Sequence, residues 1–342
     1  MNTLEQRHQN ALKALRWVHQ FGWLRATELG TLMWPHHTSR QVLGIRLAKS
    51  LIERQLVIER RLPEGAGRAL VLAAAGVRLL AEMGIDAVSG KDIGKELGEH
   101  WIPALTWRHD LAAHGVLASL YSNGYEVFPE HQIRRESGRL VKVPDGLVKK
   151  RSAVFWLEVE SARKTGPEMR KLAEAVCAVA EGTAHEVMSL RPNAPMVAYY
   201  ADATDERGHL LDHRARVTRA VQTAATKPTS VMWAACLRRG AGIGKMKLEM
   251  EVLTSDEALR VLRVMNVGGW RPIDGYEVES SWANYGNWRA EVWDDDVHGW
   301  SWTVIDGRTD LEKTPGNTAH SLSDAKLAAA GCIARLSQKM TA

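Results

Sequence analysis

From Leu4 to Phe21 the apolar residues Leu12, Leu15, Trp17, Val18 and Phe21 recur at helical spacing, and Gly22 closes the pattern. A second, shorter helix is predicted over Ala26 to Met33. The turn Trp34-Pro35-His36-His37 then delivers Thr38 as the cap of a long helix running to about Arg54. Beyond it the period shortens: Leu56 to Arg61 and Ala69 to Leu72 flank Pro63-Glu64-Gly65-Ala66-Gly67, which predicts two strands around a glycine-rich tip.

The polar stretch Ser89 to His100 places a boundary near residue 95. After it, Pro103 to Tyr121 reads as helix, Tyr125 to Ile133, Arg139 to Val148 and Ser152 to Glu160 as strands, and Pro167 to Glu181 as helix. Ala194 to Tyr200 is a strand, Leu210 to Ala225 a helix and Ser230 to Cys236 a last strand. Near the end, Tyr276 to Trp282, Asn287 to Trp293 and Gly299 to Ile305 read as strands, and Ser323 to Lys339 as an amphipathic helix. The expected fold is therefore α+β and multidomain. It has a helical module with a β-wing over 1–95, a central domain of order αβββαβ, continued by a further helix and strand, over 96–245, and a small βββα unit over 265–342.

The 342 residues exceed the size of one small module, and a content of 45% hydrophobic and 25% charged residues excludes wholesale disorder. Cys177, Cys236 and Cys332 are far apart and lack metal-ligand spacing, which argues against a disulfide framework or a structural zinc. The start is polar and no apolar run reaches membrane-spanning length, so a cytoplasmic protein without a membrane partner is expected.

Charge is uneven. Of the net +5, residues 1–73 alone hold 11 Lys and Arg against 5 Asp and Glu. A local basic excess on a module of helix, helix, turn, helix, strand, strand is the pattern of a winged helix-turn-helix, whose third helix enters the major groove. On that reading Ser39, Arg40, Gln41 and Arg46 face base edges, while Arg60, Arg61 and Arg68 on the wing hold phosphates. A solvated charged face, or a winged helix used for protein pairing, is the alternative.

Two acidic groups stand out in the central domain, Pro144-Asp145-Gly146 and Glu158-Val159-Glu160 at the end of the apolar run Ala153 to Leu157. Side chains two apart on a strand share a face, so Glu158 and Glu160 project together and Asp145 on the neighbouring strand can meet them. Three converging carboxylates call for a hard divalent cation, Mg²⁺ or Mn²⁺, and such an ion supports phosphodiester hydrolysis. Lys164 adds positive charge for the phosphate. Asp110 and His114, spaced i, i+4, and His109 beside them are further candidates on the preceding helix. Against this stand two ordinary readings: an E-x-E triplet as a strand end emerging into solvent, and a helical histidine as a structural residue.

The stretch Gly240-Ala241-Gly242-Ile243-Gly244-Lys245 fails the phosphate-loop pattern, with Arg239 and Met246 at the deciding positions, and reads as a connector. No His-x-His pair and no G-x-S-x-G elbow supports covalent tyrosine or serine chemistry. Six of the 13 tryptophans lie between Trp270 and Trp302. In so small a unit they serve as core, with base stacking as the alternative and the acidic turn Asp294-Asp295-Asp296 opposing a nucleic-acid backbone.

Ala69 to Gly76, Trp107-Arg108-His109, Pro144-Asp145-Gly146, Trp156 to Glu160 and Lys164 to Lys171 together resemble the plasmid replication-relaxation family, which includes mobilisation relaxases related to restriction endonucleases. The resemblance covers about residues 5 to 200. It implies a restriction-endonuclease-like PD-(D/E)xK domain in which Asp145 and Glu158 match the metal-binding acids, and nicking of plasmid DNA at an origin of transfer. Where that pattern has a lysine two residues after the second acid, this chain has Glu160. The expected function is thus a metal-dependent DNA nickase or relaxase in plasmid mobilisation or replication. A non-catalytic winged-helix regulator with a degenerate nuclease fold and a double-strand endonuclease are the alternatives. Expected partners are double-stranded DNA at a plasmid origin, then single-stranded DNA, a second copy of the chain or accessory mobilisation proteins.

Overall fold

The computed structural model describes residues 3–104, 106–137, 140, 142–162, 164–204, 207–225, 229–239, 242–254, 256–273, 279–295, 299–309, 311–312, 317–319 and 321–339. Arg139, Gly240, Ala241, Asp296 and residues 276–278, which enter the expectations above, lie outside them. The described chain is α+β, with ten helices and several sheets, and none of its helices is long and apolar enough to cross a membrane. It forms two compact units, one of residues 1–164, 182–213 and 232–250, the other of 165–181, 214–231 and 251–342.

The first unit begins with α1 (Thr3–Phe21), β1 (Leu24–Arg25), α2 (Ala26–Met33), α3 (Arg40–Glu53), β2 (Val57–Arg61), β3 (Arg68–Leu72) and α4 (Ala74–Ala81). β3 lies between β1 and β2 in an antiparallel sheet, with Arg61 opposite Arg68 at the tip. Ala11, Ala14, Leu15, Val18 and Phe21 are the buried stripe of α1, the face the helical period marks. The polar stretch after α4 contains a hairpin, β4 (Lys95–Leu97) and β5 (His100–Ile102), whose Trp101 packs with Trp23, Leu62, Ala69 and Val71. The polar composition of Ser89 to His100 marks a boundary, yet Ile93 within it and Trp101 just after it pack against the wing.

α5 (Trp107–Ser122) leads into β6 (Glu126–Pro129), α6 (Glu130–Glu136), β7 (Gly146–Lys150), β8 (Ala153–Glu160), α7 (Gly166–Ala180), β9 (Ala194–Tyr200), α8 (His213–Ala224), β10 (Thr229–Arg239) and β11 (Gly242–Leu253). The strands form one six-stranded sheet in the order β6 to β11. β6, β7 and β8 are antiparallel neighbours, whereas β8, β9 and β10 run parallel, so the chain must cross over between them. One apolar core runs from Leu15 and Leu29 through Val116 and Leu117 to Leu157 and Ala198.

Three elements and one cap differ from expectation. The strand expected over Arg139 to Val148 begins only at Gly146, after Pro144, which has no N–H for a ladder. The cap of α3 is Ser39, one residue beyond the expected Thr38. The strand expected over Tyr125 to Ile133 stops at Pro129, which cannot donate to a ladder, and Pro129 becomes the cap of α6, where Arg134 bridges Glu130 one turn back. The expected connector after β10 is instead β11, and the strict alternation Met246, Leu248, Met250 and Val252 with charged residues between is the signal for it.

The second unit contains α7, α8, α9 (Asp256–Gly268), β12 (Arg271–Pro272), β13 (Ser280–Tyr285), β14 (Trp288–Asp295), β15 (Gly299–Asp306), β16 (Leu311–Glu312), β17 (Asn317–Ala319) and α10 (Leu322–Lys339). Its sheet runs β12-β13-β14-β15-β16, and β17 also pairs with β15. The expected three strands and final helix are the centre of this unit, to which α9 and three short strands are added. Val261 and Met265 of α9 and Ala329 and Ile333 of α10 share a core with Trp288 and Trp302. These two tryptophans are therefore packing residues.

Candidate functional site

The acids of the P-D-G and E-V-E segments meet at one place on the sheet of the first unit. Gly146 pairs with Leu157, and the Asp145 N–H donates to the Leu157 carbonyl at 3.0 Å, so Asp145 stands beside Glu158. Gly146 makes room here: a Cβ on it would lie 2.8 Å from Leu117 Cδ2 and 3.2 Å from the Phe128 carbonyl oxygen, so glycine lets Leu117 of α5 pack closely over the start of β7. That approach brings His109 to the acids.

Each carboxylate has its own partner. Asp145 Oδ2 accepts from the Val159 N–H at 2.6 Å and Oδ1 lies 2.9 Å from His109 Nε2. His109 Nδ1 reaches Ser161 Oγ at 3.3 Å. Glu158 Oε1 accepts from Trp156 Nε1 at 2.7 Å and from the Lys142 ammonium, while Glu160 Oε1 accepts from the Lys164 ammonium. Glu158 and Glu160 are both buried, and Glu160 Oε2 has no hydrogen-bond partner among the described residues.

The charges are strongly coupled. Burial alone would push the Asp145 carboxyl up, but the His109 imidazolium and, further off, Lys164 and Lys142 hold it below the ordinary carboxylate value. Burial lowers His109, yet Asp145 outweighs burial and raises it to about 9, so at neutral pH the ring is an imidazolium donating from both nitrogens. Burial, with Asp145 adding to it, pushes Glu158 up against the pull of Lys142; burial raises Glu160 against Lys164. Lys164, lowered by burial, is raised overall by Glu160, Glu158 and Asp145. Three acids thus face three basic side chains, and a charged ring makes Ser161–His109–Asp145 unlike a triad with a neutral general base.

Asp145, Glu158, Glu160, Lys164 and His109 are brought together. Asp110 and His114 are not part of this cluster; both line a cavity that Asp145 also lines. Lys142 and Trp156 are the members that sequence reading missed, although Lys142 precedes the P-D-G by only two residues and Trp156 shares the face of Glu158.

Hard oxygen donors suit Mg²⁺ or Mn²⁺, and the partnerless Glu160 Oε2 is an open acceptor. The donor chemistry fits such an ion. As they stand, no three His, Cys, Asp or Glu side chains among the described residues form a ready ligand group.

On α3, Gly44, Ala48 and Leu51 are buried, and Ser39, Gln41, Val42, Ile45 and Arg46 are exposed. Arg40 Nη1 donates to the Pro35 carbonyl at 2.7 Å and so braces the turn before the helix. On the hairpin, Arg60 pairs with Glu96, Arg61 with Glu99 at 3.5 Å, and Arg68 with Glu59. The basic side chains of β2 and β3 are therefore met by carboxylates, which spacing alone does not reveal.

Comparison of the chain with protein-family models, with characterised proteins and with solved structures finds no match.

Proposed function

We propose that the chain is a DNA-binding, metal-dependent phosphodiesterase that nicks DNA, in which a winged helix guides a PD-(D/E)xK-like centre of the kind found in plasmid replication-relaxation proteins. The observation that carries the reading is the meeting of Asp145, Glu158 and Glu160 on adjacent strands, with His109, Lys142 and Lys164 around them. Its support is twofold: three antiparallel strands, with the short α6 between the first and second, lie between α5 and α7 and are followed by a parallel strand, and three helices and a β-wing precede them.

Asp145, Glu158 and Glu160 would hold Mg²⁺ or Mn²⁺, which when bound supplies an activated water and stabilises charge on the phosphate. The chain's own part is electrostatic. Lys164 and Lys142 set positive charge beside the acids, and His109 keeps its proton to about pH 9 while fixing Asp145. Ser39, Gln41 and Arg46 face base edges from the exposed side of α3, and the arginines of the wing reach phosphates by exchanging Glu96, Glu99 and Glu59 for them.

The test is incubation of the purified protein with supercoiled DNA of its own replicon, with Mg²⁺, Mn²⁺ or EDTA, beside Asp145→Asn. Open-circular product that needs both metal and Asp145 is the expected result; linear product would identify a double-strand endonuclease. A second reading, a DNA-binding regulator on a degenerate nuclease fold, is favoured by one observation: each acid already has a basic partner. It predicts specific binding without cleavage.

A further inference from the structure

Asp145 is shared between the carboxylate cluster and a cavity of about 310 Å³ within the first unit. One wall is aromatic: the His114 ring stands edge-on to Phe21 and Trp23, with centroids 5.0 and 4.7 Å away. Beside His114, the polar groups on the lining are Thr106, Asp110, Glu130, His131, Arg134 and Asp145. Glu130 is taken by Arg134 and Asp145 by His109, whereas the side-chain hydrogen bond to Asp110 comes from Thr106, on its own helix turn. His114 is 7% exposed, and its Nδ1 has no hydrogen-bond partner among the described residues. Burial, then the cationic surroundings, lower its pKa to about 3, so the ring is neutral, with one N–H and one lone pair.

This chemistry selects its ligand. The three carboxylates outnumber Arg134, which Glu130 already holds, and so repel an anion, and an apolar guest would leave the His114 Nδ1 without a partner. The lining offers a metal no ready site, because no three His, Cys, Asp or Glu side chains among the described residues are placed to hold one. A planar nitrogen heterocycle satisfies all the groups at once: the rings stack on it, a carboxylate accepts from its amino group, and the imidazole meets its ring edge. The volume lies at the small end of ligand pockets, which suits one base and excludes a stacked pair.

We propose that this cavity receives one unpaired nucleobase carrying an exocyclic amino group, with Asp110 accepting from that group and His114 from or to the ring edge. The inference rests on reading the adjacent cluster as acting on DNA. It adds to that reading a preference for an extruded or single-stranded nucleotide next to the scissile phosphate.

The test is titration of the full chain, in EDTA, with deoxycytidine, deoxyadenosine, deoxyguanosine and thymidine, followed by NMR. At least one amino-bearing nucleoside should bind roughly tenfold more tightly than thymidine. Asp110→Ala should remove that preference, and since it deletes a half-buried acid that lies near Glu130 it should fold. His114→Phe, which keeps the aromatic packing, should weaken every nucleoside. Equal binding of thymidine with no effect of Asp110→Ala, or no binding at millimolar concentration, would overturn the proposal. The nicking assay separates the two readings: nicking by a protein that ignores nucleosides sinks only the base cavity, and nucleoside binding without nicking sinks only the nuclease.

Discussion

Gly44 of α3 lies directly against Gly30 of α2: a Cβ on Gly44 would stand 2.7 Å from the Gly30 Cα and would overlap the Ala26 carbonyl oxygen. The two helices therefore touch backbone to backbone, and this contact sets the direction in which α3 presents Gln41, Ile45 and Arg46. Gly44→Ala gains about 1 kcal/mol of helix propensity but forces backbone apart, for a net loss of about 1 to 3 kcal/mol. Urea denaturation should show that loss, and if α3 reads DNA as proposed, DNA affinity should fall further than the folded fraction explains. An unchanged midpoint would mean that the helices separate freely.

Lys142 neutralises the buried Glu158, whose other side-chain partner is the Trp156 N–H. Lys142→Met leaves that acid buried with its charge unmatched, at a cost of about 3 kcal/mol at pH 8. Because the folded carboxyl already titrates above its ordinary value, losing the lysine raises it further. The cost should then shrink as pH falls and the acid takes up a proton. Denaturation of Lys142→Met beside the double variant Lys142→Met/Glu158→Gln checks this, since the pair should recover most of the loss.

The local pattern made much of this molecule legible. The periods of α1, α3 and β8, the turn before α3 and the alternating acids of β8 each report a residue's immediate neighbours, and each of these elements forms within a few residues of where its pattern lies. The meeting of Asp145 with Glu158 was also readable, because it needs only that β7 and β8 pair. Other features depend on distant chain. His109 reaches Asp145 because α5 packs over Gly146, and Arg60 meets Glu96 because a hairpin forms in a stretch whose composition reads as linker. Those partnerships are tertiary and leave no period in the sequence. α9 and β11 are different, since both carry regular patterns, and for them the signal was present.

His114 gives the fold a pH dependence of known sign. Its pKa falls from 6.5 to about 3 through burial, then through His131, Arg25 and His109. Above pH 6.5 the ring is neutral in both folded and unfolded chains and contributes nothing. As pH drops below 6.5 only the unfolded chain takes up the proton, so stability falls, by on the order of 3 kcal/mol at pH 4. His114→Phe should flatten this part of the profile of urea midpoint against pH. A variant as acid-sensitive as the parent would assign the dependence to other groups, such as His19 and His131, which burial and then Arg135 lower to about 4.

Arg46 is exposed on α3 one turn beyond Val42, on the side away from buried Gly44 and Ala48. If α3 reads DNA, Arg46→Ala should cost about 1 to 3 kcal/mol on the specific site and relax the preference at one base pair. If Arg46 meets only a phosphate, affinity should fall evenly across sequences and the salt slope should drop by about one. Competition binding at two salt concentrations distinguishes these, and unchanged affinity on any sequence would remove α3 from the interface.

Glu160 is the most direct probe of the proposed cation. It is buried, one oxygen holds Lys164 and the other has no partner among the described residues. In metal-free protein Glu160→Gln removes the nearest counter-charge of Lys164, while the amide still accepts from it and Glu158 and Asp145 remain near, so the cost should be about 1 to 3 kcal/mol. With the ion present the two proteins should diverge. A ligand bound only by the folded chain stabilises it by about 2.7 kcal/mol at a hundred times its dissociation constant. Thermal unfolding in increasing Mn²⁺ should therefore raise the midpoint of the parent and leave Glu160→Gln nearly unmoved. A parent that does not respond would favour the regulator with a degenerate centre, and an equal response in both would place the ion away from Glu160.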